Sequence, residues 1–327
     1  MRPALVLLAI VALGTGCAGP ASTLDPAGAG AARTSFLTWL LVAFMAAVYV
    51  LVLGVLALVI RRRAEPQSTD GTGWALVGVV AGGIALPVVV ITILALVSVR
   101  SLADLTRVEA ASLSIDVVAQ QYWWEFRYRD GDGEPVLTAN ELHVPVGRRV
   151  ELRLHSTDVI HSFWVPSLQG KLDLVPGKVN VTWLRADRAG TYHGQCAEYC
   201  GVQHALMRMV VVAQAPSDFA QWLAAQRQPA AVGTDERARH AAQLFLLHCA
   251  SCHRVRGTSA FFGTLGPDLT HVASRSTLAA GTLPNVKETL AAWIADPQRL
   301  KPGSLMPRVP LPAAELQAVV DYTNGLR

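Results

Sequence analysis

Residues 196–207 read Cys-Ala-Glu-Tyr-Cys-Gly-Val-Gln-His-Ala-Leu-Met. This short stretch offers two thiols, an imidazole and a thioether. Such soft and borderline ligands suit copper, whereas magnesium and calcium prefer oxygen ligands. A loop of ligands needs a rigid scaffold to hold it. The residues that precede this loop alternate in the manner of β-strands, so the loop is predicted to belong to a β-domain.

The scaffold is predicted to be a β-sandwich. Segments rich in β-forming residues begin near Leu113, Glu141, Arg149 and Val179, and turn signals such as Asp130-Gly-Asp-Gly separate them. Several short strands at this spacing are typical of a sandwich of about a hundred residues. We place this domain at residues 110–214.

The thiol pair Cys196 and Cys200 allows several interpretations. A disulfide explains neither His204 nor Met207, and a zinc site leaves the methionine unused. A mononuclear blue-copper site needs only one of the two cysteines. Two thiolates can instead bridge two copper ions, which shares one electron between the metals and keeps bond-length changes small on reduction. Binuclear copper is therefore the interpretation that uses every ligand in the loop.

A further histidine is expected from the sandwich itself. His161 is the best candidate, because it lies at a predicted strand end beside aromatic residues. We interpret the other histidines of this domain as surface or structural residues, as most lone histidines are: His143, His155 and His193.

The composition indicates a membrane protein. Of the 327 residues 52% are hydrophobic and 16% charged, whereas soluble proteins carry about 25% charged residues. Residues 36–60 and 74–99 contain no charged residue, and each stretch can span a hydrocarbon core of roughly 30 Å. We therefore expect a transmembrane hairpin at residues 35–100. The net charge of +4 comes without a basic stripe, which gives no support for nucleic-acid binding.

Two independent signals give the orientation of the hairpin. Arg61, Arg62 and Arg63 lie in the short loop between the two spans, and basic residues in short loops mark the cytoplasmic side. Residues 1–16 read as a signal peptide, with a basic start, an apolar run and small residues before Cys17. We expect lipidation of Cys17, ahead of an ordinary signal peptide and of an uncleaved anchor. Both signals place the later residues outside the cytoplasm.

The last part of the chain is predicted to be helical. A short helix is predicted at residues 217–226, with Ser217 as its cap and Asp218 in its first turn. A linker follows it, and we assign residues 215–234 to the helix and the linker together. Beyond the linker, residues 235–327 predict helices that are separated by loops. These helices are expected at residues 236–248, 286–295 and 313–324, and the last is expected to stop at Gly325.

Cys249-Ala-Ser-Cys252-His253 is a C-x-x-C-H motif, the attachment signal for c-type haem. Cys249 and Cys252 at this spacing can reach the two vinyl groups of one haem, and His253 then lies beneath the iron as an axial ligand. A thioredoxin-like redox pair would need a βαβ context, and a zinc site would need a second ligand pair. The sequence of this segment supplies neither.

The other axial ligand is expected to be Met306. Methionine is a common axial ligand in electron-carrying cytochromes and raises their potential. Met306 follows the haem motif and lies in a Gly/Pro loop, where a methionine that merely fills a core is less expected. His271 is the competing ligand and ranks below Met306. The segment resembles a class I cytochrome c, including the Gly266-Pro-Asp-Leu stretch before the middle helix.

These motifs and the double-helix hairpin before them resemble subunit II of the haem–copper cytochrome c oxidases, in the caa3-type form with a cytochrome c domain at its end. The resemblance runs from about residue 20 to the end of the chain. It implies a two-helix hairpin, a cupredoxin-like β-sandwich and an all-α class I cytochrome c domain. It also implies the ligands of the binuclear CuA centre, with Glu198 acting through its backbone carbonyl: His161, Cys196, Glu198, Cys200, His204 and Met207.

The resemblance implies further roles. The Glu198 carboxylate faces a magnesium ion at the border with subunit I in this family, and Asp173 matches a position near that ion. Tyr122, Trp123 and Trp124 match the aromatic patch through which electrons arrive, although the family often has tryptophan where Tyr122 stands. Some members carry a glutamate near the start of the second helix, but residues 77–83 contain no acid here.

The resemblance implies a cytochrome-c oxidase subunit in a bacterial inner membrane, with its metal domains on the periplasmic side. Electrons from soluble cytochrome c or another periplasmic donor would pass to haem c, then to CuA, then to haem in subunit I, where oxygen is reduced to water. Expected partners are subunits I and III and membrane lipid. The alternatives are an electron-transfer subunit of a nitric oxide reductase, a free-standing membrane carrier and a copper-delivery protein.

Overall fold

The computed structural model describes residues 19, 21–62, 72–106, 113–129 and 133–327. The predicted signal peptide, Cys17, Arg63 and the turn at Asp130 lie outside the described residues. The described residues form two compact units: those between 33 and 109 make one, and those before 33 and after 109 together make the other.

Apolar helices form the smaller unit, which includes the first helix from residue 33 onward. Helix α1 runs from Ala29 to Arg62, α2 from Thr72 to Val80 and α3 from Leu86 to Thr106. The stretches Ala29–Arg61 and Leu76–Ala103 are long and apolar enough to cross a membrane. The most apolar 18 residues of each stretch are not buried within the protein, whereas Ala31, Ser35 and Ser101 near the ends of the helices are buried. A soluble core helix would be buried, so this exposure fits helices whose apolar surface meets lipid.

The second predicted span is not one regular α-helix. A π-helical turn, Ala81–Ala85, joins α2 to α3, and the Leu86 amide bonds to the Ala81 carbonyl. Gly82 and Gly83 form part of this turn, and Pro87 follows it. Proline has no amide hydrogen and its ring clashes with the preceding helical turn, so a widened turn before it relieves both problems.

Ten strands of the larger unit form the predicted sandwich. One sheet has the order β3-β2-β1-β5-β8, and the other has the order β4-β10-β9-β6-β7. The strands are β1 Ser114–Gln120, β2 Trp123–Arg129, β3 Val136–Ala139, β4 Glu141–Pro145, β5 Val150–Ser156, β6 His161–Trp164, β7 Leu172–Leu174, β8 Asn180–Leu184, β9 Gly190–Cys196 and β10 Arg208–Gln214.

Apolar side chains from both sheets fill the space between them. Ile115, Phe126, Leu152 and Leu184 are fully buried there. Alternation along the strands explains this packing, because alternate side chains of a strand point to the same face. Strand β1 pairs with β5 in parallel, and β10 pairs with β4 in parallel. Both sheets are therefore mixed rather than purely antiparallel.

Helices and loops form the rest of the larger unit. Phe245 and Val319 lie in a separate apolar core, where α5 packs against α8. The helices are α4 Pro216–Gln226, α5 Glu236–His248, α6 Lys287–Ala295, α7 Pro297–Leu300 and α8 Ala313–Gly325, and short strands β11 Thr277–Leu278 and β12 Leu283–Pro284 pair between them.

Three predicted helix ends were wrong by one or two residues, and one of them is the start of α6, which is Lys287 and not Val286. Ser217 does not cap α4: the helix begins at Pro216, and Ala215 occupies the cap position. Proline suits a first helical position because its missing amide hydrogen is not needed there. Gly325 does not stop α8 but is its last residue, and Leu326 follows as the C-cap.

Candidate metal centres

The ends of two neighbouring strands position the cysteine loop. Strand β9 ends at Cys196 and β10 begins at Arg208. The Cys196 amide donates to the Met207 carbonyl at 2.9 Å, which closes the loop at its base. Strand β6 begins at His161 and pairs with β9 through Phe163 and Cys196. The β-sheet register therefore brings a distant histidine to the first cysteine of the loop.

Sulfur and nitrogen atoms converge at this point. The two Sγ atoms of Cys196 and Cys200 lie 3.8 Å apart, far beyond the ~2.05 Å of a disulfide bond. His161 Nδ1 lies 3.8 Å from the Cys196 sulfur, and His204 Nδ1 lies 3.8 Å from the Cys200 sulfur. Met207 Sδ is 3.9 Å from the Cys200 sulfur. Each thiol thus has its own histidine, and the pair of thiols lies between the histidines.

This set of donors fits a pair of copper ions better than one ion. The nitrogen–sulfur separations are longer than normal hydrogen bonds and leave space for metal between the donors. The Glu198 carbonyl oxygen lies 3.2 Å from the Cys196 sulfur, so it is also beside the cluster. Cys196, Cys200 and Met207 are all buried, which suits a site that holds its metal and excludes water.

The His161 ring is held from its other side. Its Nε2 lies 2.8 Å from Asp158 Oδ1, and a second partner of this kind fixes the orientation of a histidine ligand and leaves the opposite nitrogen for metal. Burial lowers the pKa of His161, but hydrogen bonds with Cys196 and Asp158 outweigh that effect and raise it. Asp158 was not singled out from the sequence, because a lone acid in a loop has no distinctive spacing.

The two thiols differ in acidity without metal. The hydrogen bond from Cys200 lowers the pKa of the Cys196 thiol to about 3, with further help from His161. The same hydrogen bond raises the pKa of Cys200. Of the two protons that metal binding has to remove, the one on Cys196 is therefore the easier to lose.

The other predicted residues of the sandwich lie at different depths. Trp124 is fully buried, and its ring centroid is 6.2 Å from that of His161. Trp123 is 8% exposed and packs with Ala139 and Ala280, whereas Tyr122 is partly buried beside Gly201. The aromatic patch is therefore largely covered in this conformation, and Ala280 of the helical region is part of the cover.

Three other histidines of the sandwich and two acids complete the predicted set. His143 is buried and stacks on Trp222 at a ring-centroid distance of 4.0 Å, so it has a structural environment. His193 is exposed and His155 is partly buried. Asp173 lies on β7 and pairs in register with Ser162, next to His161. Asp173 and Glu198 are both partly buried.

The haem motif begins where α5 ends. Cys249 is the C-cap of this helix, and the His253 amide donates to the Cys249 carbonyl at 2.9 Å. His253 Nδ1 lies 2.9 Å from the Pro267 carbonyl oxygen, which can only accept. Burial lowers the pKa of His253, so the ring is neutral and its Nε2 lone pair is available to iron.

Two glycines make this arrangement possible. A Cβ at Gly266 would lie 2.5 Å from His253 Cε1. A Cβ at Gly263 would lie 2.6 Å from the His253 amide nitrogen. Real atoms do not approach so closely, so both positions need glycine to let the backbone wrap the histidine. This close wrapping fits an axial ligand that must keep one orientation.

The side chain of Gln298, which was not predicted from the sequence, holds the loop that carries Met306. Gln298 Nε2 donates to the carbonyl oxygens of Ser304 and Met306 at 2.7 and 2.9 Å, and Gln298 Oε1 accepts from the Gly303 amide at 3.0 Å. Met306 is partly buried. The competing His271 is engaged elsewhere, since its Nε2 lies 2.9 Å from the Gln228 carbonyl oxygen.

Comparison with known families identifies both regions. The family model described as "Cytochrome C oxidase subunit II, periplasmic domain" matches residues 130–214. The model described as "Cytochrome c" matches residues 238–326. The first region contains the cysteine loop and the second contains the C-x-x-C-H motif. These families imply copper for the sandwich and haem c for the helical region.

Two relatives that align with this chain over nearly their whole length are both cytochrome c oxidase subunit 2. The chain is 33% identical to cytochrome c oxidase subunit 2 of Alkalihalophilus pseudofirmus, over 96% of this chain and 93% of that protein. It is 32% identical to the same subunit of Bacillus subtilis, over 99% and 97%. The crystal structure of the periplasmic domain of subunit II from Bradyrhizobium japonicum is 30% identical and covers 37% of this chain and 97% of that one, with a TM-score of 0.35.

The near-complete coverage of these relatives includes the hairpin, the sandwich and the helical region together. The predicted fold class is confirmed by the two family matches and by the observed architecture. The chain therefore belongs to the cytochrome c oxidase subunit 2 family, in the form that continues into a cytochrome c region, and is one subunit of an oxidase complex.

Proposed function

We propose that this subunit receives electrons from soluble cytochrome c or another periplasmic donor and relays them to haem in subunit I, where oxygen is reduced to water. The observation that carries the proposal is the convergence of two thiols with one histidine Nδ1 beside each sulfur. Held by this chain, haem c and binuclear copper would supply one-electron carriers in series. The chemistry on oxygen belongs to the partner, because no histidine occurs in residues 36–60 or 74–99.

The proposed copper ligands are the residues whose donor atoms surround the two thiols: His161, Cys196, Glu198 through its carbonyl, Cys200, His204 and Met207. Thiolate, imidazole and thioether donors favour copper over harder ions. A buried loop that holds its donors in place would keep their movement small when copper changes oxidation state, which favours rapid electron transfer. Trp124 beside His161 supports a role for the Tyr122–Trp123–Trp124 cluster in electron input.

The proposed haem ligands are Cys249 and Cys252 as covalent attachments, with His253 and Met306 on the iron. The neutral His253 ring and the Gln298-held loop around Met306 support this assignment. Glu198 and Asp173 are proposed to face magnesium at the subunit I border. We also propose that Cys17 is lipidated and that both metal domains, at residues 110–214 and 235–327, lie on the periplasmic side.

The test is oxygen uptake by the purified membrane complex. Uptake is expected to require both reduced cytochrome c and bound copper, and covalent haem is expected to migrate with this chain in a denaturing gel. A partner that contains non-haem iron and shows no oxygen uptake would overturn the oxidase assignment in favour of nitric oxide reduction.

A further inference from the structure

The loop that carries the copper ligands is covered by the helical region. Lys301 Nζ donates to the Leu206 carbonyl at 2.9 Å and to the Ala279 carbonyl at 2.9 Å. Thr282 Oγ1 donates to the same Leu206 carbonyl at 3.2 Å. Leu206 lies between His204 and Met207, so both donors reach the backbone of the copper loop itself.

Three more contacts surround these bonds. The Arg208 amide donates to the Ala280 carbonyl at 3.1 Å. The Gln203 side chain donates from Nε2 to the Pro302 carbonyl. A Cβ at Gly303 would lie 2.6 Å from Val202 Cγ2, so the two loops touch closely. The segment 301–303 continues into the Met306 loop, and residues 202–208 contain two of the proposed copper ligands.

The turn that receives Lys301 has an unusual backbone. Ala279 and Ala280 have φ of 51° and 56°, in the left-handed region that residues with a Cβ seldom adopt, and Gly281 follows at 70°. Such backbone persists only where surrounding contacts compensate for it. Here the Ala279 carbonyl accepts from Lys301 and the Ala280 carbonyl accepts from Arg208. The conformation of the turn is thus coupled to its contact with the copper loop.

Burial of the charged Lys301 side chain at this position is energetically unfavourable. It is 2% exposed, and its ammonium group donates to two neutral carbonyl oxygens rather than to a carboxylate. Burial, with the nearby Arg208, lowers the pKa of Lys301 to about 8. If the helical region left the copper loop, this side chain would regain water. A buried ammonium group needs hydrogen-bond acceptors, and Lys301 finds them where carbonyls of both regions meet, which fits a role in joining the regions.

We propose that Lys301 is a positioning residue that fastens the haem-carrying region to the copper loop, and that the contact between residues 202–208 and 301–303 is where electrons cross within this chain. The inference rests on the proposed function, since it assumes haem and copper in these two regions. It adds a defined contact for the transfer. Ala280, whose carbonyl accepts from the Arg208 amide beside this contact, packs against Trp123. An external donor therefore has to deliver its electron to the haem-carrying region.

The test uses the complete complex with Lys301→Met, Thr282→Val and the double variant. Lys287→Met is the control, because Lys287 pairs with Asp321 at 2.6 Å on the surface of the same region. Amide exchange of Arg208 reports the contact directly, since its hydrogen is donated to Ala280. The rate of electron transfer from haem to copper after rapid haem reduction shows whether electrons cross at this contact. Spectra of both centres show that each region is folded and loaded.

Exchange at Arg208 is expected to accelerate about tenfold or more in Lys301→Met, since a bond from a charged donor is lost. Thr282→Val should act in the same direction but less. The two effects should not be additive, because both donors share one acceptor. The double variant should also slow the haem-to-copper step at least tenfold. Lys287→Met should change neither quantity.

Unchanged Arg208 exchange in all three variants would overturn the role of Lys301. Faster exchange with an unchanged haem-to-copper rate in the double variant would overturn the contact as the route. If Lys301→Met loses the haem or the copper spectrum, Arg208 exchange and the haem-to-copper rate of Thr282→Val provide the test instead. Absence of the copper or haem spectrum from the unaltered complex would instead overturn the proposed function, so the two failures are distinguishable.

Discussion

His161 is oriented by a carboxylate three positions before it in the chain. Because Asp158 Oδ1 lies 2.8 Å from His161 Nε2, Asp158→Ala should lower copper affinity about 10- to 100-fold, the usual effect of losing such a partner. Asp158→Asn keeps an acceptor oxygen and should lose less. Competition with a copper chelator measures both variants. Equal affinity of Asp158→Ala and the unaltered protein would contradict this role.

Gly266 lies against the proposed haem ligand. A Cβ there would lie 2.5 Å from His253 Cε1, so Gly266→Ala should tilt the imidazole and reduce the fraction of six-coordinate haem. The absorption spectrum of the reduced protein measures that fraction. Gly325→Ala is the control, because nothing lies within 4 Å of a Cβ at Gly325. Equal spectra for the two variants would show that His253 does not need the close approach.

At the scale of single residues, the sequence predicted donors with a characteristic type and spacing. Cys196, Cys200 and His204 stand four residues apart in turn, and such a pattern is rarely structural. Asp158 and Gln298 were not predicted. Aspartate and glutamine are common in loops, and their roles depend on partners that only the folded backbone brings near.

The loop that carries Met306 is a separate element and depends on Gln298. Gln298→Glu removes the amide donor to the Ser304 and Met306 carbonyls but keeps an acceptor for the Gly303 amide. Each lost bond weakens the loop by about 1 kcal/mol, so the methionine–haem absorption band should weaken. Met306→Ala should abolish this band.

The control for the loop is Gln317→Glu on α8. The Gln317 side chain bonds to Asp321 on the exposed surface, so the charge change is the same but the loop is untouched. An identical methionine–haem band in Gln298→Glu and Gln317→Glu would contradict a role for Gln298 in holding Met306.

At the scale of elements, helices with clear periodicity were predicted to within a residue or two. Helix α5 has its expected bounds of Glu236 and His248. The π-helical turn at Ala81 was not predicted, because Gly and Pro in an apolar run are also compatible with a regular membrane helix. The start of α4 was missed because Pro216 and Ser217 are both good N-terminal residues, and local sequence does not rank them.

At the scale of the whole molecule, Glu141 of the sandwich forms a direct contact with the helical region. It is buried, lies 3.0 Å from His143 Nε2 and accepts from the Ser276 amide at 2.9 Å. Burial raises the pKa of Glu141, but the bonds from His143 and Ser276 outweigh it and lower the pKa. A lowered carboxyl pKa stabilises the contact above the ordinary value of about 4.3 and loses that effect as pH falls through the lowered value.

Ser276 amide exchange, corrected for the intrinsic effect of pH, should therefore accelerate on acidification below about pH 4. Glu141→Gln should show weaker protection near neutral pH and little further change on acidification, because a neutral amide does not titrate in this range. Parallel pH profiles for the two proteins would show that another group governs the contact.

The contact between the two metal-bearing regions was beyond the reach of sequence reasoning. Glu141 and Ser276 are 135 positions apart, and Lys301 and Leu206 are 95 apart. A buried lysine looks like any surface lysine in a sequence. The linker at residues 228–234 predicts only that two regions are joined, whereas the bonds at Leu206 and Ala279 determine whether they stay together.

The most direct test of electron relay is rapid mixing of the oxidised complex with reduced cytochrome c, with the spectra of both centres followed in time. Haem c should be reduced first, and the near-infrared band of binuclear copper should then bleach at a rate independent of donor concentration. Copper reduction before haem, or a mononuclear blue-copper spectrum at this loop, would contradict electron relay from haem c to binuclear copper.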